Sequence, residues 1–247
     1  MNVPRSLSFF AFLLTTSTLI GCGGSSPTNP EATLSQPQSM VIRTFDFIAS
    51  PSEYADTDVI ATSLKGEKHE LLKGHFSRRI GYSKTIKFRY ADDFVNVLNI
   101  ELISRNEQRV LANTQVELVD KARYWVFSLG DTDTDDYQLY ALHQPNVQPV
   151  DDTVPVFILD LDVHKHIGET AVHIGRQSPP IDISSHGNFK QINMSKDLMN
   201  FDLTVNYSDT TTLDCTVWTP EKESVWNDSA WVVFIVNEQC HLRHIDQ

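Results

Sequence analysis

The 247-residue chain is poor in glycine, cysteine and basic side chains. Each scarcity excludes something. Ten glycines leave little material for loops that cradle phosphates, and neither a P-loop nor a dinucleotide fingerprint occurs. Twenty Lys+Arg against 32 Asp+Glu give a formal net charge of −12. Such a chain is repelled by phosphate backbones and carries no basic stripe, so nucleic acid is excluded as a partner. The sequence also lacks a Gly-x-Ser-x-Gly elbow and a His-Glu-x-x-His pair. Ser185-His186-Gly187 stands without the context of a triad. A non-enzymatic chain without a cofactor is the expectation. What is present suffices for a core: 40% hydrophobic and 10% aromatic residues exclude wholesale disorder.

The N-terminus reads as an address. Arg5 and the α-amino group precede an apolar run from Leu7 to Ile20, shorter than the roughly 20 residues a bilayer span requires but suited to a secretory signal. The run ends in Leu19-Ile20-Gly21-Cys22, which resembles the lipobox of bacterial lipoproteins. The resemblance implies a signal peptide over 1–21, cleavage before Cys22 and acylation of that cysteine. Several acyl chains at about 0.8 kcal/mol per buried methylene would anchor the protein stably. Gly23, where an Asp is absent, favours the outer membrane by likeness to enterobacterial lipoproteins. The expected location is therefore the cell envelope of a Gram-negative bacterium, facing the periplasm or the surface. Residues 22–39, CGGSSPTNPEATLSQPQS, have no apolar periodicity and read as a flexible tether.

Beyond the tether the texture is that of strands. Phe201, Leu203, Val205 and Tyr207 alternate with Asp202, Thr204 and Asn206, and Leu98, Ile100 and Leu102 alternate with Asn99 and Glu101. Tyr124–Leu129 and Trp231–Val236 are continuous apolar runs, as expected of strands covered on both sides. No stretch keeps a helical period over three turns, so the chain is all-β. Gln144–Thr153, with two prolines and two aspartates, breaks it into halves that repeat one another. Val116–Val119, Tyr124–Phe127 and Gln138–Leu142 close the first half. Glu223–Trp226, Trp231–Phe234 and His241–Ile245 close the second, while Met40–Ile48 and Val154–Val163 open the two. The expected organisation is a β-sandwich of roughly seven strands over 40–145, a linker over 146–153 and a second sandwich over 154–247. Halves of this size are expected to fold separately.

Three segments of the first half carry a likeness to a known family. They are Gly81-Tyr82 ahead of a strand, Leu111–Leu118 as a pair of short strands, and Ala122–Asp131 as a central strand running into a loop. In these the chain resembles a bacterial envelope family of unknown function, built of tandem immunoglobulin-like antiparallel β-sandwich repeats and often carried by lipoproteins. The likeness implies that fold and no activity. Together with the tether it implies a module for binding or structural interaction, with a protein or glycan partner.

Three groups of residues are candidates for more. Asp160, Asp162, His164 and His166 share the parity of one strand, and carboxylates with imidazoles can hold Zn²⁺. They offer the alternative of a metal-dependent envelope enzyme or metal-binding protein, with His173 and His186 as further ligands. The plainer explanation is the solvated face of a half-buried strand, and no metal site is assigned. Cys215 and Cys240 are the remaining thiols once Cys22 is acylated; a disulfide or two separate buried thiols would each suit them. Asp131-Thr132-Asp133-Thr134-Asp135-Asp136 begins like a calcium loop but has Asp136 where Gly is needed and Leu142 where Glu is needed. An exposed acidic turn is expected there.

Overall fold

The apolar periodicities become strands in the computed structural model, which describes residues 37–49, 56–74, 81–89, 96–162, 170–175, 181–182, 189–207, 211–221 and 223–245. The signal peptide, Cys22 and almost all of the tether lie outside these residues, as do His164, His166 and His186. The first half contributes β1 (Gln38–Ala49), β2 (Thr57–Ser63), β3 (Lys68–Lys73), β4 (Tyr82–Phe88), β5 (Val97–Ser104), β6 (Val110–Glu117), β7 (Arg123–Asp131) and β8 (Asp136–His143). The second contributes β9 (Thr153–Asp160), β10 (Thr170–Ile174), β11 (Ile181–Asp182), β12 (Lys190–Ser195), β13 (Asn200–Tyr207), β14 (Thr212–Trp218), α1 (Glu223–Asn227), β15 (Ala230–Val236) and β16 (Gln239–Ile245).

The strands form four four-stranded sheets, in the orders β4-β1-β7-β8, β3-β2-β5-β6, β12-β9-β15-β16 and β11-β10-β13-β14. The second half repeats the first strand for strand. In each, the opening strand runs parallel to the seventh, with Phe45 opposite Phe127 and Leu159 opposite Phe234. The other pairings are antiparallel. Eight strands therefore form in each half, one more than the periodicity suggested.

Three buried clusters hold the sheets. The first joins the two sheets of the first half through Met40, Ile42, Val59, Leu72, Leu98, Ile100, Leu102 and Val126. The second does the same for the second half through Val156, Ile158, Leu203, Val205, Val217, Trp226 and Val233. The third lies between the halves. Phe45, Phe47, Trp125, Phe127 and Leu129 of the first meet Phe157, Leu159, Val232, Phe234 and Val236 of the second. Phe234 packs edge-on against Phe45 at 4.9 Å, Phe127 at 5.2 Å and Trp125 at 5.6 Å between ring centroids. The β1/β7 and β9/β15 sheets are thus covered on both faces, which explains their unbroken apolar runs. Arg43 Nη1 donates to His244 O at 2.6 Å and Asn237 Nδ2 to Phe47 O at 2.9 Å across the same boundary. Ser35–Gln247 forms one compact unit. The third cluster takes Phe45, Phe47, Trp125, Phe127 and Leu129 from the first half, so these side chains are buried against the second.

Some local expectations change. Leu111–Glu117 belongs to the one strand β6, and Leu118 follows it, so the segment is not a strand pair. Glu223–Trp226, the expected counterpart of Val116–Val119, lies in the short helix α1, whose Trp226 enters the second cluster. The tether ends earlier than Ser39, because Gln38 already pairs with Phe88.

Candidate functional site

The outer face of the β10-β13-β14 sheet is the most distinctive surface among the described residues. On β14, Leu213, Cys215 and Val217 point inward while Thr212, Asp214, Thr216 and Trp218 are exposed, a period of two. On β13 the outward set is Asn200, Asp202, Thr204 and Asn206. Register places Thr204 opposite Asp214, Asp202 opposite Thr216 and Asn200 opposite Trp218. The hydroxyls lock these rungs: Thr204 Oγ1 donates to Asp214 Oδ1 at 2.6 Å, Thr216 Oγ1 to Asp202 Oδ1 at 2.7 Å and Thr212 Oγ1 to Asn206 Oδ1 at 3.2 Å. The result is a ladder of short polar side chains held in fixed orientation, with an indole at its end.

That indole is 69% exposed, beside Met199 at 79%. Together with Lys196, Asp197, Glu221 and the buried Trp226 they line a groove of about 530 Å³. Leaving a large apolar side chain in water forfeits about 1.5–3 kcal/mol of burial, so two such groups flanking a groove call for an explanation that a lone exposed residue does not. The groove is braced from below. Thr219 N and Oγ1 donate to Met199 O at 3.2 and 2.8 Å, and Oγ1 also reaches Leu198 O at 3.0 Å. Trp226 Nε1 donates to Ser195 O at 3.2 Å, and Trp231 Nε1 to Trp226 O at 3.1 Å. These bonds fix the backbone under the groove walls. Trp218 was not singled out from the sequence, although a signal existed: it carries the outward parity of Thr212, Asp214 and Thr216.

The acidic row takes a different role from either sequence reading. Asp160 and Asp162 are 4% and 2% exposed, so they are not a solvated face; the strand they end is covered by a core on each side. Asp160 Oδ1 accepts the Asp162 N–H at 2.8 Å, and Asp162 Oδ2 accepts the Glu238 N–H at 2.9 Å. The Tyr207 hydroxyl bonds Asp160, and burial, then the charges of Asp160, Asp162 and Glu238, push that phenol well above its ordinary range. Asp46 does the corresponding work in the first half, accepting the Ile48 N–H at 3.1 Å and the Ser128 hydroxyl at 3.1 Å. Asp160 ends the β9/β15 parallel pair, whereas Asp46 stands opposite Ser128 within the β1/β7 pair. Among the described residues no group of three or more His, Cys, Asp or Glu side chains is placed to hold a metal ion. His173 sits on β10 opposite Thr204.

Cys215 on β14 and Cys240 on β16 are joined by a disulfide with a Cα–Cα distance of 6.2 Å, linking the two sheets of the second half. The Asp131–Asp136 segment closes the β7–β8 hairpin. Asp133 N donates to Asp131 Oδ1 at 2.8 Å, and Arg109 Nη2 donates to Asp135 Oδ1 at 2.8 Å. It is an exposed turn whose side chains satisfy their own backbone.

No protein-family model matches the chain. No curated protein matches it either. Among solved structures it is similar to a family 26 carbohydrate-binding module of Eubacterium rectale Amy13K in complex with maltoheptaose, at 13% identity over 85% of this chain and 98% of that one, with a TM-score of 0.26. Family 41 carbohydrate-binding modules from streptococcal virulence factors, described for α-glucan recognition, match at 10% identity over 80% and 92%, with a TM-score of 0.27. A putative cell adhesion protein of Bacteroides uniformis matches at 11% identity over 85% and 97%, with a TM-score of 0.20. These likenesses reach as far as β-rich architecture and no further.

Proposed function

We propose that this chain is a lipid-anchored envelope protein that presents two tandem immunoglobulin-like β-sandwich modules, and that it binds a glycan on the outer face of the second. The lipobox at Leu19–Cys22 supports the anchor, and the identical strand order of the two halves supports the tandem modules. The observation that carries the binding role is Trp218, exposed at the end of the Thr–Asp ladder and on the wall of a braced groove.

The chemistry of that surface suits a saccharide better than a protein. An indole face is electron-rich and attracts the polarised C–H groups on the apolar side of a pyranose ring. Asp197 and Glu221 can accept hydrogen bonds from sugar hydroxyls while Lys196 and Thr219 line the same groove. A stable protein interface buries about 800 Å² on each partner around a charge-depleted apolar centre. Here the exposed apolar centre is one indole and one thioether, rimmed by charge. The site binds and does not transform its ligand.

Two measurements test the parts separately. Cys22→Ala should leave the precursor uncut and abolish palmitate labelling; unchanged labelling would end the anchor reading. Affinity electrophoresis of the natively exported chain through gels containing soluble polysaccharides should retard it in at least one of them. Equal mobility in every gel would remove the glycan reading and leave the fold untouched.

A further inference from the structure

The Thr–Asp ladder has a hydrogen-bonding character that narrows what can bind to it. A hydroxyl has one proton to give. Thr204 spends its proton on Asp214 Oδ1, Thr216 on Asp202 Oδ1 and Thr212 on Asn206 Oδ1. What these three hydroxyls and two carboxylates keep is acceptor capacity alone. The charge of the surface points the same way. Among the described residues of groove and ladder, Asp197, Asp202, Asp214 and Glu221 are acidic, and the basic side chains are Lys196 and His173. Lys196 Nζ already lies 3.6 Å from Asp152 Oδ1. The outward side chains of β14 run from Thr212 to Trp218, a length of about 20 Å at the rise of a strand, and end at the exposed indole.

We infer that this surface takes a polysaccharide chain free of acidic groups, laid along β14, and excludes glycans that carry uronate, sulfate or phosphate. This rests on the reading of Trp218 and its groove as a glycan site, and adds the class of glycan. One ring lies against Trp218, and hydroxyls of the following rings donate to Asp202 and Asp214. A sugar hydroxyl supplies the proton that each rung lacks, and a bond to an ionised acceptor is stronger than one between neutral groups. An anionic group does the opposite: it brings acceptors to acceptors and charge to like charge. The threonines hold both carboxylates in place, so little side-chain freedom is lost when a ligand docks.

The test is calorimetry on the natively exported full chain, with dextran, starch, xylan and galactomannan. Each is used unmodified, as its lightly substituted hydroxyethyl derivative and as its carboxymethyl derivative, the last two differing in charge and little in bulk. For any polysaccharide that binds, the carboxymethyl form should bind at least about tenfold more weakly than the hydroxyethyl form, as two exposed like-charge contacts of up to about fivefold each imply. High salt should narrow the gap. In the double variant Asp202→Asn with Asp214→Asn, which keeps an acceptor oxygen for each threonine, the ratio of the two affinities should fall about fivefold or more. Carboxymethyl binding equal to or tighter than hydroxyethyl binding overturns this inference and leaves the glycan reading standing. A ratio unmoved in a double variant that unfolds at the parent's midpoint also overturns it, because the ladder then does not select. Binding to none of the polysaccharides in any form overturns the glycan reading and this inference together.

Discussion

Replacing Phe234 by Ala probes whether the halves behave as one body. Phe234 is fully buried, belongs to the second half, and has its ring neighbours Phe45, Phe47, Trp125 and Phe127 in the first, at 4.9, 5.9, 5.6 and 5.2 Å. Truncating a buried Phe costs about 3–5 kcal/mol through lost transfer energy and the cavity left behind. For a protein of this size, that corresponds to a fall in Tm of about 6–20 °C. The informative assay is native-state hydrogen exchange read peptide by peptide. If the third cluster couples the halves, protection should fall alike in β5 of the first half and β13 of the second, though neither strand contributes to that cluster. Loss confined to the second half, with β5 at wild-type protection, would refute the coupling and restore the picture of two independent domains.

Tyr207 supplies a pH dependence. Its phenol is raised in the folded state, so the stability it contributes is present below about pH 10 and is lost as pH rises beyond that, with a slope of up to about 1.4 kcal/mol per pH unit. Tyr207→Phe should cost about 1–3 kcal/mol at neutral pH by removing a donor from buried Asp160, and should flatten the alkaline limb of the stability curve; an unchanged limb would show that another group controls it. Replacing Cys215 and Cys240 together by Ala should destabilise by about 3 kcal/mol, given their separation of 25 residues. Two free thiols in natively exported protein would contradict the bridge.

The strand class was legible because period two is a local signal, and so were the central strands, whose runs from Tyr124 and Trp231 record cover on both faces. What local signals do not record is what provides the cover. Phe45 and Phe234 are far apart in sequence, and nothing in either segment announces that the two meet. The same gap explains Asp160 and Asp162. Alternation placed them on one face, but burial of that face comes from Tyr207 and the turn at Glu238, distant in the chain. Gly130 shows the reverse case of a local detail with a nonlocal reason. At φ 133 it sits so close to Asp136 O that a Cβ could not fit, which only the hairpin register reveals. Trp218 could have been found by asking which aromatic carries the parity of exposed threonines.

The glycan site is tested most directly by calorimetry and tryptophan fluorescence on the full chain, titrated with oligosaccharides of any polysaccharide that retards it in the gel. Saturable binding with a change in indole emission is expected in the wild type. Trp218→Ala should lose that binding while its unfolding free energy stays within about 0.5 kcal/mol of the parent, as for an exposed substitution. Undiminished binding by Trp218→Ala would show that the ladder and groove of the second module are not the site.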